Sequence, residues 1–459
     1  MSLSNTAEAL EQHLIDGLNY RITPGGAAYV SARSSSTYFP SSGNDFSFSG
    51  VRSIRIPFTG EGWMDPQSAY LSFQVVNRDT TADTSTAAQR IELLSGVHSV
   101  FARVRVLLGG QEAESIDNYG RIVHQQLLLS PKAFVENYQA MGVGLKQPFP
   151  SKKFELFDLK RLGPGQAKTV MIPASMIAGI FGTQKYLPLK YLGPMTLELE
   201  LANPADCCRS GTTGNPLVTT FGTSLSVKDV QFKTDIVTLD SELENSFAST
   251  LLSGRALTLS MTTWSSSFHG IPAGTDDPLV SSQRAVSRLK SVFISLFSQA
   301  DNLRTVVNQF AHPNGETGGA DHPNTVGNDD CIPDSKDITY QLILNGETMP
   351  VMPCRSRSES FSQMLKAIGC ANSTYHSICI TDASYQTTEY LAAFDMEKVI
   401  SASLTGRDTR TGPSQLSVQF KNLSQGGTVG SSDQITKVFF SSCFDVVVEI
   451  RDTGITILS

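Results

Sequence analysis

Val104-Arg-Val-Leu-Leu-Gly-Gly-Gln-Glu112 and Tyr340-Gln-Leu-Ile-Leu-Asn-Gly-Glu-Thr348 read as two copies of one pattern. In the first, Val104, Val106 and Leu108 alternate with Arg103, Arg105 and Leu107, so one face of a strand is apolar, and Gly109-Gly110 then turns the chain. The spacing after it changes to that of a helix over Asn118 to Leu129, with Tyr119, Ile122, Val123 and Gln126-Leu127 along one side. The second copy is likewise followed by a helix, Ser358 to Ile368, which carries Gln363-Met364-Leu365 where the first carries Gln126-Leu127-Leu128. Two more anchors repeat in the same order. Gly193-Pro194-Met-Thr-Leu-Glu-Leu matches Gly412-Pro413-Ser-Gln-Leu-Ser-Val, and Val230 to Leu239 with Asp235 matches Val438 to Val448 with Asp445. The offsets between copies shrink from 236 to 219 to 210 residues, so order is kept while the second copy is shorter between anchors. Three ordered matches point to a duplication.

Outward from these anchors, period-two segments dominate. Ile54, Ile56 and Phe58 form one apolar face, as do Leu71, Phe73 and Val75. Further strands are expected at Lys168 to Pro173, Met195 to Leu201 and Ser224 to Thr238. In the second half they fall at Leu257 to Thr262, Ser291 to Phe297, Ile338 to Leu344, Leu416 to Phe420 and Val438 to Ile450. Between the halves, Ser241 to Leu252 reads as a helix capped by Ser241, with Glu244 completing a capping box. At the start, Asn5 to Leu18 reads as an amphipathic helix with Leu10, Leu14, Ile15 and Leu18 on one stripe. A Gly/Ser-rich linker follows from Thr23 to Gly50. The division is therefore 1–50 as an N-terminal helix and linker arm, 51–240 as the first sandwich, 241–255 as a linker helix and 256–459 as the second sandwich. Antiparallel strands with long connections and few helices make an all-β chain of two tandem jelly-roll β-sandwiches, with short helices in the loops. Regular strand–helix alternation, the mark of a parallel α/β sheet, is missing.

The chain has 459 residues, 40% hydrophobic and 17% charged, which suits two domains of roughly 200 residues. Its net charge is -7. The densest basic spots, Ser151-Lys152-Lys153 and Lys160-Arg161, are too small for the face that a phosphate backbone requires, so no direct sequence-specific nucleic-acid binding is expected. Seven cysteines at irregular spacing argue for reduced thiols rather than a disulfide framework. Neither a signal peptide nor a membrane-spanning stretch is read, so the sequons at Asn372 and Asn422 are taken as coincidental.

The strand Ser53-Ile-Arg-Ile-Pro-Phe58, then Ala69-Tyr-Leu-Ser-Phe-Gln-Val75, then the strand, turn and helix entry from Val100 to Gly120 resemble the double jelly-roll major capsid proteins of DNA viruses, of the virophage and polinton-like virus type. The likeness runs from about Val51 to Ser459. It implies a major capsid protein forming trimeric, pseudo-hexameric capsomers of an icosahedral shell, each chain supplying two of six corners. It implies a virion location, synthesis and assembly in the host cytoplasm or nucleus, and the chain itself, penton proteins and minor capsid proteins as partners. An internal membrane is compatible with it. It also implies that the N-terminal helix lies on the inner side of the shell and that the long polar stretch Asn302 to Ser335 emerges on the outer face. The competing classes are a tandem lectin- or adhesin-like binding protein and a hydrolase built on a β-sandwich.

Gly163-Pro-Gly-Gln-Ala-Lys168-Thr169 departs from a phosphate-binding loop at Ala167 and reads as a Gly-Pro turn into a strand. His124, on its helix, reads as a surface or interface residue rather than a base. His98, His269 and His376 are scattered. His312 and His322, with Asp321, Asp329 and Asp330, fit a polar loop that needs no ion. Trp63 and Trp264 read as anchors of cores or of contacts between chains. No catalytic, cofactor-binding or metal-ligating residue is assigned, and an enzyme is not expected.

Overall fold

The computed structural model describes residues 30–80, 90–93, 96–143, 162–212, 215–221, 225–272, 275, 277–283, 285–298, 338–371, 373, 378–381, 385, 389–398, 404–410, 415–421, 423 and 435–458. The helix expected at Asn5 to Leu18, the stretch Asn302 to Ser335, both sequon asparagines, Cys331, His312, His322, His376 and the basic spots lie outside the described residues.

Eight strands of the first half build its sandwich: β1 (Val30–Tyr38), β2 (Ser53–Phe58), β3 (Trp63–Asn77), β4 (Phe101–Leu108), β5 (Gln111–Asp117), β6 (Ala167–Pro173), β7 (Met195–Leu201) and β8 (Leu225–Leu239). They pair antiparallel as two sheets, β1-β8-β3-β6 and β2-β7-β4-β5. The second half contributes β9 (Leu257–Gly270), β10 (Leu279–Gln283), β11 (Leu289–Ser298), β12 (Thr339–Leu344), β13 (Glu347–Cys354), β14 (Ala392–Asp395), β15 (Gln415–Lys421) and β16 (Ile435–Arg451). Its sheets run β9-β16-β11-β14 and β10-β15-β12-β13. Raising each number in the first pair of sheets by eight gives the second. Each half is thus a jelly roll, in which eight strands form two packed sheets by Greek-key connections. The chain is a double jelly roll.

The stretches that decide the reading do what their residues dictate. Gly109 and Gly110 have φ of 56° and 83°, and Asn345 and Gly346 have 52° and 86°. Two successive positive φ angles make the tight hairpin whose twist matches the flanking strands, and Gly or Asn tolerates them best. After each hairpin comes a helix, α1 (Tyr119–Leu129) in the first half and α3 (Arg357–Ala367) in the second. Between the halves lies α2 (Ser241–Leu252). Asp240, not Ser241, occupies its cap position, because Asp240 keeps the extended backbone of β8 while its carbonyl accepts the Glu244 N–H at 3.0 Å. In α3 the cap is Ser356, whose hydroxyl accepts the Glu359 N–H at 3.1 Å.

The alternation in β7 places Leu197, Leu199 and Leu201 in the core. Glu198, on the other face, sits directly opposite Arg55 and Arg105 and pairs with both. Facing sheets meet through aromatic rings: Phe58 packs on Phe181 and Phe232 in the first sandwich, and Tyr340 packs on Phe394 in the second.

One boundary needs correction. The Gly/Ser-rich linker read over Thr23 to Gly50, within the arm 1–50, contains β1 and a short strand Asp45–Ser47, and both pair with β8. Strand β1 is Ser-rich and mostly exposed, so it lacks the alternating apolar face that marks a strand in sequence. Its place is fixed by backbone pairing instead. A third small sheet, Arg90–Leu93 with Cys208–Thr212 and Asn215–Phe221, was also not foreseen. It ties the β3–β4 connection to the β7–β8 connection.

Candidate functional site

The two sandwiches of the chain meet along a seam. Inside the chain that seam runs between β5 and β9. Glu114 of β5 is buried there. Its Oε1 accepts the Thr263 hydroxyl at 2.6 Å and the Gly179 N–H at 2.9 Å, and its Oε2 accepts the Ile180 N–H at 3.4 Å. Burial pushes this carboxyl above its ordinary range, and the three donors oppose the shift. Next along the seam, the Ser266 hydroxyl donates to the Asp117 carbonyl at 2.8 Å and accepts from Asn118 Nδ2 at 3.1 Å. Gly179 is required for the fit: a Cβ at that position would overlap the Thr262 carbonyl oxygen across the seam.

Helix α1 is wedged into the same seam. Ten of its eleven residues are buried, Gln126 being the exception. Arg121 reaches from α1 into an aromatic nest of the second sandwich, 3.9 Å from the Phe297 ring centroid, 5.5 Å from Phe439 and 5.6 Å from Phe268. The Ser441 hydroxyl of β16 donates to Gln125 Oε1 at 2.8 Å, and the Cys379 N–H donates to the Leu128 carbonyl at 3.0 Å. Strand β16 has a nearly continuous burial pattern instead of strict alternation, and α1 covers it at Phe439 and Ser441.

His124 is corrected by this packing. It is buried, with its ring stacked on that of His98 at 6.4 Å between centroids. Burial lowers His98 to about 3, and burial, His98 and Arg121 hold His124 well below the ordinary imidazole range, so both rings are neutral near neutral pH. The ring that packs on His124 comes from the Val97–Val100 turn of the same sandwich, which helix periodicity does not reveal. Trp63 opens β3 and packs on Phe247 of α2, at 4.9 Å between centroids, and on Tyr191. Trp264 packs on Phe293 at 5.8 Å, inside the second sandwich. The Gly163 segment is a turn into β6, with the Gln166 side chain accepting the Gly163 N–H at 2.9 Å.

Beside the seam lies a cavity of about 310 Å³, bordered by Glu114, Tyr119, Met261, Trp264, Lys290 and Asp445. Its two carboxylates are engaged: Glu114 as above, and Asp445 with the Thr262 hydroxyl at 2.7 Å and Lys290 Nζ at 3.8 Å. They fasten strands together. Among the described residues no three His, Cys, Asp or Glu side chains cluster to hold a metal ion, and no helix is long and apolar enough to cross a membrane.

Among the described residues, two strands at sheet ends have exposed apolar side chains on or beside them. Strand β13, at the end of its sheet, exposes Val351 at 83% and Met352 at 59%. Strand β1, at the end of its own sheet, is exposed over most of its length, and Phe39 just beyond it is 60% exposed.

No family model matches the chain, and no curated protein matches it. Solved structures do share its fold. A quasi-atomic model of the PBCV-1 virus capsid is similar at a TM-score of 0.57 and 13% identity, over 96% of this chain and 98% of that one. The Faustovirus major capsid protein is similar at 0.57 and 8% identity, over 98% and 94%. The Sputnik virophage structure is similar at 0.54 and 12% identity, over 96% and 91%. At these identities the likeness is one of fold, and it extends over both jelly rolls.

Proposed function

We propose that this chain is the major capsid protein of an icosahedral virus and acts by building a shell, not by catalysis. The observation that carries the reading is the duplicated jelly roll itself, two sandwiches of identical strand order in one chain, sharing a fold end to end with capsid proteins. Three such chains supply six similar sandwiches, the number that lets a trimer fill a near-hexagonal tile. In this reading the chain is located in the virion, its first partner is itself, and penton and minor proteins complete the shell. Residues 1–29 form an inward arm, 30–240 the first tile corner, 241–255 the linker and 256–459 the second corner. The stretch Asn302 to Ser335 lies between β11 and β12, as Arg78 to Gln89 lies between β3 and β4, so both belong at one end of the molecule, the outer one. The lectin or adhesin alternative has no comparable support, because the seam cavity is bordered by side chains already bonded to each other.

Negative-stain microscopy of the purified chain tests the proposal. Six-lobed rings, or shells tiled with them, are expected. Single two-lobed particles at every concentration would contradict it.

A further inference from the structure

The seam inside the chain joins unlike edges. It sets β5, the hairpin edge of the first sandwich, against β9, the opening strand of the second. Since the strand orders are identical, the second sandwich owns the same hairpin edge, β13, and the first owns the same opening strand, β1. Among the described residues neither has a strand on its outer side, and both have exposed apolar side chains on or beside them.

The register shows what would meet there. Asp235 of β8 and Asp445 of β16 hold matching places in the repeat. Ser35 lies opposite Asp235, and Thr262 lies opposite Asp445. Counting along from that pair, Ser36 corresponds to Thr263 and Phe39 to Ser266. Thr263 and Ser266 are the residues that bond Glu114 and Asp117 across the internal seam. The place of Ser266 is thus taken in the first sandwich by an exposed phenylalanine.

The hairpin edge differs in a complementary way. Val106 and Val104 pair with Glu114 and Ile116, two steps apart on β5. The matching Leu342 and Tyr340 pair with Met349 and Cys354, five steps apart on β13. The additional residues make a bulge, Pro350-Val351-Met352-Pro353, that pushes Val351 and Met352 into solvent. Its prolines have no N–H to offer a new strand, so this edge is unsuited to extending the sheet and suited to side-chain packing. The internal seam is of the same kind: β5 and β9 touch through side chains and are not ladder partners.

We infer that the Pro350–Pro353 bulge of one copy packs against β1 of a second copy, with Val351 and Met352 on Phe39, repeating between chains the seam built within each chain. This rests on the capsid reading, in which sandwiches follow one another around a ring. The change from polar to apolar has a physical reason. Within a chain the linker keeps the two sandwiches at high effective concentration, so hydrogen bonds suffice to set their register. Separate copies must also offset the entropy of association, which calls for burial of apolar surface. A head-to-tail contact of this kind closes into a ring when its rotation allows.

The test compares the native chain with V351D/M352D, F39D, V351D/M352D/F39K and L252D by sedimentation velocity, with circular dichroism reporting the fold. Leu252 is an exposed apolar residue on α2, on neither edge strand, and serves as the control. Association should weaken at least tenfold in V351D/M352D and in F39D, recover in part when F39K faces the new aspartates, and stay unchanged in L252D. In a second measurement, F39C and M352C single variants are mixed and treated with a short bismaleimide. They should give a cross-linked pair that neither variant gives alone. A native assembly that survives both sets of aspartates, or mixed cysteine variants that never cross-link, overturns this contact and leaves the capsid reading standing. A native chain that never associates overturns the capsid reading itself.

Discussion

Helices α1 and α3 occupy the same place in two sandwiches of the same topology, yet they are built differently. Tyr119–Leu129 is buried on nearly every side, whereas only Ser360 and Met364 are buried among the described side chains of Arg357–Ala367. Val123 of α1 corresponds to Ser360 of α3, whose hydroxyl is ringed by the phenols of Tyr340, Tyr385 and Tyr390 at 2.9–3.1 Å. Arg121 corresponds to Ser358, which is exposed. The difference teaches that fold position does not determine burial here. What covers the element does, and only α1 is covered by the other sandwich.

The strongest way to break this comparison is to truncate matched residues. Arg121→Ala removes a guanidinium packed on three rings and should cost about 3 kcal/mol in chemical denaturation. Ser358→Ala should stay within about 0.5 kcal/mol. Equal costs would show that α1 is not held by the second sandwich. A second contrast uses glycines on one short turn. Gly179→Ala meets the Thr262 carbonyl and should cost about 2 kcal/mol by forcing the seam apart. Gly182→Ala, with nothing near its Cβ, should change the midpoint little.

Protonation sharpens the picture with smaller effects of opposite sign. The folded carboxyl of Glu114 is raised, so above the unfolded value the folded chain binds a proton that the unfolded chain lacks. Its contribution to stability therefore falls as pH rises through that window. Relative to Glu114→Gln, the native chain should gain stability as pH drops from 7 towards 5. His98 runs the other way. Lowered from 6.5 to about 3, it stays neutral when folded while the unfolded chain takes up a proton, so its contribution is lost as pH falls between those values. Urea titrations of the native chain and of His98→Gln should show a weaker loss on acidification in the variant. Parallel pH profiles would place both groups in water.

Much of the architecture was legible because burial imprinted a period on the sequence. Met195–Leu201 alternates cleanly since one face meets the core and the other meets cross-strand arginines. The two hairpins announced themselves through Gly109-Gly110 and Asn345-Gly346, the residue types that accept positive φ. Val30–Tyr38 was not legible, because an edge strand exposed over most of its length leaves no apolar period, and its Ser-rich run looks like a linker. Arg121 and His124 were not legible as buried groups, because Arg121 is covered by Phe297 and Phe439 far along the chain and His124 by His98, which lies outside the helix. The open edges were missed for a related reason: Phe39, Val351 and Met352 are unremarkable as letters and acquire meaning only once the two sandwiches are placed in register.

The most direct test of the account is native mass spectrometry of the intact chain at micromolar concentration. The account predicts a dominant species of three copies, with little free monomer. A stable monomer, or a two-copy species that does not exchange with three, would contradict it.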